Sequence, residues 1–427
     1  MEGILTVLRR ALLRETQSGR IDERVLPFSS ALALQCFTNE YVFSETDEEK
    51  SAVEELEREV EAHLEKGEDV SPHLVVTLGA YRPLYGFSWS GDLCDRAWCD
   101  EVEEVITRQV SEPQEEYSLR SQIPQLTAIE DTVSRSVREQ YEENPYPRWF
   151  KSGFNTTAQG IGSVLRSASL RLDLGDYKSP ENPEVLVAGC GTGQHAIRTA
   201  TEFLNEQVLA VDLSLSSLSY AKRKTQELGL SNIDYAQADI MGLGALDRQF
   251  DLIECVGVLH HLGDPLAGWR VLVDLLRPGG LMKVGLYSEL ARQHVVAARS
   301  LIAEKGYTSS AADIRRCRED IIAMGEEGNR EKLEFRYRND FFSLSSCRDL
   351  LFHVQEHRFT LPEIETALGS LKLKFLGFEM RDRESFEKFS SIHPEKEAVA
   401  SLSLWHEFEL GNPDTFISMY QFWCRKV

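Results

Sequence analysis

The sequence predicts an α/β protein: a doubly wound sheet of parallel strands and crossover helices, preceded by a mostly helical N-terminal domain. Three observations carry this. From Val185 onward, short apolar runs alternate with amphipathic stretches, the rhythm of parallel strands joined by helices. A Gly-x-Gly-x-Gly run, Gly189 to Gly193, follows the first of those apolar runs directly. Residues 1–135 instead show helical spacing.

In the N-terminal part, SAVEELEREVEAHLEK (51–66) places Val53, Leu56, Val60 and Leu64 on one helical face, opposite a face of carboxylates. No 34-residue repeat and no low-complexity tract is present. DYKSPENPE (176–184), with two prolines, marks a break. The strands then follow in order: VLVAG, VLAVD (208–212), IDYAQAD (233–239), FDLIECVGVL (250–259) and GLMKVGLYS (280–288). Helices are expected from about Gln194, over SLSSLSYAKRKTQELG, and from Pro265, with Asp264 as N-cap and RPGG (277–280) as its end. After roughly 85 residues, LKLKFLGFEM (371–380) and TFISMYQFWCRK (415–426) supply two more strands. Three parts result: an acidic helical domain over 1–135, a pre-sheet segment over 136–180, and the sheet domain over 181–427 with an insertion at about 289–368.

Composition excludes several classes of function. The eight cysteines include no Cys-x-x-Cys pair, which argues against zinc knuckles and a disulfide framework and for a reducing cytoplasm. MEGILTVLRRALLRE has only a short apolar run before Arg9, and no later segment approaches a membrane span, so a soluble protein without a membrane partner is expected. The net charge is -22, and residues 40–145 hold 27 Asp and Glu against 9 Lys and Arg. That field repels phosphate backbones and argues against a nucleic-acid partner.

YEENPYPRWF (141–150) superficially suggests a base clamp built on Asn-Pro-Pro-Tyr, but its order is Asn-Pro-Tyr-Pro and it precedes the glycine turn by some 40 residues. Position, order and charge all oppose a base. Two prolines stiffen the segment, and Tyr141, Tyr146 and Trp149 supply aromatic walls for a lid, or else anchor the N-terminal domain.

The glycines at 189, 191 and 193 sit at a strand-to-helix turn, where lacking a Cβ lets backbone approach a ligand. Asp212 follows Gly193 by 19 residues at the end of the next strand, placed to accept from two ribose hydroxyls, and Asp239 ends the third strand. This ordered set, with VLHHLGDP (258–265) and LLRPGGLMKVGLYS, resembles the class I S-adenosylmethionine-dependent methyltransferases over roughly residues 137–427. The chain is also similar to uncharacterised bacterial methyltransferases in which such a region is joined to helical repeats.

The resemblance implies a Rossmann-like methyltransferase sheet and S-adenosylmethionine as cofactor. Its holders would be Gly189, Cys190, Gly191, Thr192, Gly193, Asp212, Leu213, Asp239 and Ile240, with Tyr141 from the lid. The family often carries an acid two positions before the first glycine, where this chain has Val187, so the ammonium needs backbone carbonyls or another acid. A hydroxyl or protonated amine acceptor needs a base, and His260 and His261, just past the fourth strand, are the candidates; a polar turn without proton chemistry is the alternative. HVQEH (353–357) matches an inverted zinc-protease pattern with His353 and His357 one helical turn apart, yet it lies in the insertion with no third ligand. It is read as pocket lining with no metal, so that Tyr146, Trp149, His353 and His357 face the acceptor. Thr360 and Glu363 read as a capping box for the next helix. The expected function is methyl transfer to an acceptor that is a protein or peptide in preference to a small metabolite. The alternative is a non-catalytic cofactor-binding partner protein.

Overall fold

The computed structural model describes residues 2–20, 22–151, 153, 157–167, 170–326, 339–380 and 382–427. They fall into two compact units, Met1–Ser118 with Ala297–Phe352, and Leu119–Val296 with His353–Val427.

The second unit holds a seven-stranded sheet: β1 Glu184–Ala188, β2 Gln207–Asp212, β3 Ile233–Gln237, β4 Phe250–Val256, β5 Leu276–Tyr287, β6 Leu373–Phe378 and β7 Met419–Lys426. The order is β3-β2-β1-β4-β5-β7-β6, with β1 to β5 parallel and β7 antiparallel between β5 and β6. Each strand matches an apolar run named from the sequence. Those runs are continuous because both faces are covered. Val185 and Val187 enter one core with Ala210, Leu252 and Trp423, while Leu186 and Ala188 enter the other with Val211, Ile253 and Phe422.

Helix starts obey the capping chemistry in the sequence. Asp264 Oδ1 accepts the Ala267 N–H at 3.0 Å ahead of the helix Pro265–Asp274, and Thr360 and Glu363 form a capping box at Leu361–Leu371. One boundary differs. RPGG lies inside β5 and does not end the preceding helix: Leu276 already pairs with Phe250, and Leu281 pairs with Leu252. Four residues thus face one, and the excess bulges out with Gly279 at φ +74°.

The free edge of β3 explains where this unit begins. Gln237 N–H donates to Pro124 O at 2.8 Å and Leu126 N–H to Gln237 O at 2.9 Å, a parallel bridge that ties the chain from Leu119 onward to the sheet. The sequence-based boundary at 135 falls later because such bridging has no periodic signal.

In the first unit, the helix Asp47–Glu65 starts at a capping box of Thr46 and Glu49 and buries Val53, Leu56, Val60 and Leu64. Glu54, Glu55 and Glu59 stay exposed. The helices Ala311–Glu326 and Leu344–Phe352, from the middle of the insertion, belong here: Arg315 Nε donates to Tyr41 O at 2.8 Å, and Arg318 reaches Val42 O at 3.2 Å and Phe341 O at 2.8 Å. Chain order places all of 289–368 with the sheet domain and cannot reveal these guanidinium–carbonyl bonds. Among the described residues, no helix is long and apolar enough to cross a membrane.

Candidate active site

The winding direction of the sheet reverses between β1 and β4, so their C-terminal ends border a crevice. The glycine turn closes one side. Gly189, at φ +77°, would drive any Cβ into the methyl groups of Val258. At Gly191, φ +52°, a Cβ would stand 2.7 Å from the carbonyl oxygen of Tyr146. The turn therefore needs glycine both for its backbone and for the segment laid across it.

Asp212, at the end of β2, accepts the Gly191 N–H on Oδ2 at 2.8 Å and the Ser214 N–H on Oδ1 at 3.0 Å. Burial pushes its carboxyl pKa up, against the lowering effect of those amides. The carboxylate oxygens retain acceptor capacity beyond these amides, which suits a vicinal diol. Leu213 O accepts from Gln237 Nε2 at 2.8 Å. Asp239 stands two residues past β3, with Oδ1 accepting the Met241 N–H at 3.0 Å and its own N–H donating to Thr127 Oγ1 at 2.7 Å. Ile240 is buried in the short turn that follows. Cys190 is buried too, and burial followed by the charge of Asp212 raises its thiol pKa well above normal, so it is no nucleophile.

YEENPYPRWF lies against this turn. Ser214 Oγ donates to Tyr141 O at 3.1 Å, and the Glu142 carboxylate accepts the Ser216 hydroxyl at 2.6 Å. Thr192 Oγ1 donates to Pro147 O, and Trp149 Nε1 donates to Thr192 O at 3.1 Å. Trp149 was expected to face an acceptor. Its ring instead enters the core beneath the turn, edge-on to Tyr220 at 6.2 Å with the Lys224 ammonium at 5.6 Å, and so fastens the segment. Tyr141 and Tyr146 stack at 6.4 Å, and Tyr141 lies 5.9 Å from the His353 ring.

Across the crevice, His260 and His261 occupy a 3-10 turn just past β4. The two rings have opposite polarity. His260 is fully buried, stacked on Tyr287 at 3.7 Å, and its Nδ1 accepts the Tyr287 N–H at 3.3 Å, so the ring proton belongs on Nε2. Burial, then repulsion from the Arg292 charge and from His261 whenever that ring is protonated, hold its pKa well below the ordinary value. His261 Nδ1 lies 2.7 Å from the Gln355 carbonyl, which can only accept; Nδ1 carries the proton and Nε2 is the basic nitrogen of the neutral ring.

HVQEH is not helical, so His353 and His357 do not share a helix face. It runs into strand-like bonding beside the end of β5: Phe359 N–H donates to Tyr287 O, and Glu289 N–H to Phe359 O, both at 2.9 Å. The segment wraps the histidine turn, with His357 N–H donating to His260 O at 2.8 Å and His353 stacked on His261 at 3.5 Å. A buried ion pair, Arg292 with Glu356 at 2.8 Å, pins it, and the same guanidinium lies 3.6 Å from the Tyr287 ring centre. Sequence reasoning missed Tyr287, Arg292, Gln355 and Glu356. Only Tyr287, as the last residue of a parallel strand, carried a signal.

Fold, glycine turn and the acids after β2 and β3 together define the class: the chain carries a class I S-adenosylmethionine-dependent methyltransferase domain. Residues 185–280 match the family described as "Methyltransferase domain". An uncharacterised protein of Synechococcus sp. is 28% identical over 308 residues, spanning 68% of this chain and 71% of the relative. The ubiquinone biosynthesis O-methyltransferase of Parvibaculum lavamentivorans is 30% identical over 144 residues, 34% of this chain, and the match spans little more than half of that enzyme, 56%. Among solved structures, PKMT2 from Rickettsia typhi in complex with AdoHcy aligns with a TM-score of 0.47 at 17% identity, over 66% of this chain and 54% of that one.

Proposed function

We propose that this protein transfers a methyl group from S-adenosylmethionine to an oxygen acceptor, with His261 as general base. One observation carries the reading: the His261 Nδ1–H donated to the Gln355 carbonyl at 2.7 Å, which orients the ring and makes Nε2 the basic nitrogen of its neutral form. His260, with its lone pair engaged by the Tyr287 N–H, is a packing residue and not a second base. When bound, S-adenosylmethionine supplies an electrophilic methyl on a sulfonium, so the protein's own residues need only orient the acceptor, exclude water and take its proton. Asp212 and Asp239 hold the nucleoside, and the segment through Tyr146 covers it. The relatives named as O-methyltransferases support an oxygen acceptor.

For the acceptor's size, the anionic surplus over residues 40–145 favours a basic protein or peptide over a small metabolite, through electrostatic steering, and disfavours nucleic acid. Among the described residues no disulfide joins any of the cysteines, which fits a cytoplasmic setting. The competing reading is a non-catalytic cofactor-binding protein. Incubation of the purified protein with methyl-labelled cofactor and cell extract separates them. Labelled protein or metabolite that disappears with His261→Ala supports the proposal; cofactor binding with neither transfer nor slow hydrolysis overturns it.

A further inference from the structure

Across the sheet, at the level of Val187, four register-paired positions follow one another: Val187 on β1, Glu254 on β4, Lys283 on β5 and Trp423 on β7. The first is apolar and the second is a buried acid. Glu254 is 3% exposed, accepts from Thr199 Oγ1, and lies 3.3 Å from His195 Nε2. The Lys283 ammonium pairs instead with Glu379 at 2.7 Å. Glu254 thus shares the field of Lys283 with a second carboxylate, Glu379, and has His195 as its nearest charge partner. Burial alone would raise the Glu254 pKa, but His195, Lys283 and Thr199 outweigh it and bring it to about 2, so the group is ionised at neutral pH. A buried carboxylate is costly unless cationic and hydrogen-bonding partners offset it, as His195, Lys283 and Thr199 do at Glu254. His195, Glu254's partner from outside the row, is partly exposed on the first turn of the helix Gln194–Glu202, two residues past Gly193.

We propose that the His195–Glu254 pair binds the amino-acid end of the cofactor, His195 as the contact residue and Glu254 as the positioning residue that fixes the imidazole and supplies the negative charge absent at Val187. A zwitterionic ammonium and carboxylate is the natural complement of a hydrogen-bonded imidazole–carboxylate pair. The acid has moved one strand sideways, to a register partner. The assignment rests on the methyltransferase reading above.

The test is calorimetric and needs no turnover. S-adenosylhomocysteine carries the amino-acid end, and 5′-methylthioadenosine lacks it. Glu254→Gln and His195→Ala are each expected to weaken S-adenosylhomocysteine by about tenfold or more, while 5′-methylthioadenosine stays within about twofold. Val187→Asp placed in the Glu254→Gln chain returns an acid to the neighbouring register position and is expected to recover part of the lost affinity. Equal losses for both ligands, which a merely structural role would give, overturn the assignment, as does no loss at all. If Glu254→Gln does not fold, His195→Ala decides alone. A wild-type protein that binds neither ligand overturns the cofactor reading itself; binding of both with parallel losses in the variants overturns only this pair.

Discussion

His261 points its Nδ1 at the backbone carbonyl of Gln355, 2.7 Å away, and that one bond decides which nitrogen of the ring can take a proton. It also explains why a non-helical segment wraps the histidine turn: a helix would have kept the Gln355 carbonyl for itself. The Arg292–Glu356 ion pair beside it, with both side chains almost fully buried, holds the segment in register.

Replacing the proposed base tests the role directly. His261→Ala should lower kcat by about a hundredfold or more, the usual share of a positioned base, while leaving cofactor affinity unchanged. Single-turnover kinetics and calorimetry on the same preparation separate the two. Loss of affinity with intact kcat would make His261 a binding residue.

His260 gives a pH dependence whose sign follows from its burial. Its folded-state pKa lies well below the ordinary 6.5, so below pH 6.5 the unfolded chain binds a proton that the folded chain refuses. This contribution to stability is complete above 6.5 and is lost as pH falls toward the depressed value, by about 1.4 kcal/mol per pH unit at most. His260→Phe removes it. The variant should be less stable at pH 8, because the Tyr287 N–H loses its acceptor at a cost of about 1–3 kcal/mol, but should lose less on going from pH 8 to pH 5.5. Urea midpoints at the two pH values check this; equal pH slopes for both proteins would refute it.

Asp212→Ala should weaken cofactor binding by about 2–4 kcal/mol, since the ribose hydroxyls lose a charged acceptor in a partly buried site. The Gly191 and Ser214 amides lose their acceptor as well, whereas the cost of burying the carboxylate, visible in its raised pKa, is relieved. The fold is expected to survive, with calorimetry showing lost affinity and circular dichroism showing a cooperative melt. Unchanged affinity would remove Asp212 from the site.

How much of this was legible follows from what each feature depends on. The strands could be read because burial on both faces leaves continuous apolar runs, as in Val185 to Ala188, and the turn could be read because Gly189 admits no Cβ. Caps such as Asp264 and Thr360 are local chemistry and declare themselves within four residues. Gln355, by contrast, acts through its carbonyl, which any residue supplies, so no side chain announced it. Trp149 was misread because its neighbours suggested a wall, while its actual partners, Thr192 O and Tyr220, lie 43 and 71 residues away. Glu254 sits inside an apolar strand and reads as an oddity until the register sets it beside Val187.

The segment YEENPYPRWF yields the last prediction. Its bonds to the glycine turn, from Thr192 Oγ1 to Pro147 O and from Trp149 Nε1 to Thr192 O, make its position responsive to whatever the turn holds. A cover that tightens on ligand binding loses conformational freedom, and its amides exchange more slowly. Exchange measured with and without S-adenosylhomocysteine should show protection over residues 138–150 comparable to that over Gly189 to Gly193. Single-stranded DNA should give none, because 27 acids against 9 bases over residues 40–145 oppose a phosphate backbone. Tyr146→Ala should raise the cofactor dissociation constant several-fold, as loss of about 1 kcal/mol of aromatic contact would. Trp149→Ala should act differently, lowering thermal stability first, since its ring is core and its Nε1 is the fastening bond. Cofactor-independent exchange over 138–150 would make the segment a fixed brace of the turn and not its cover.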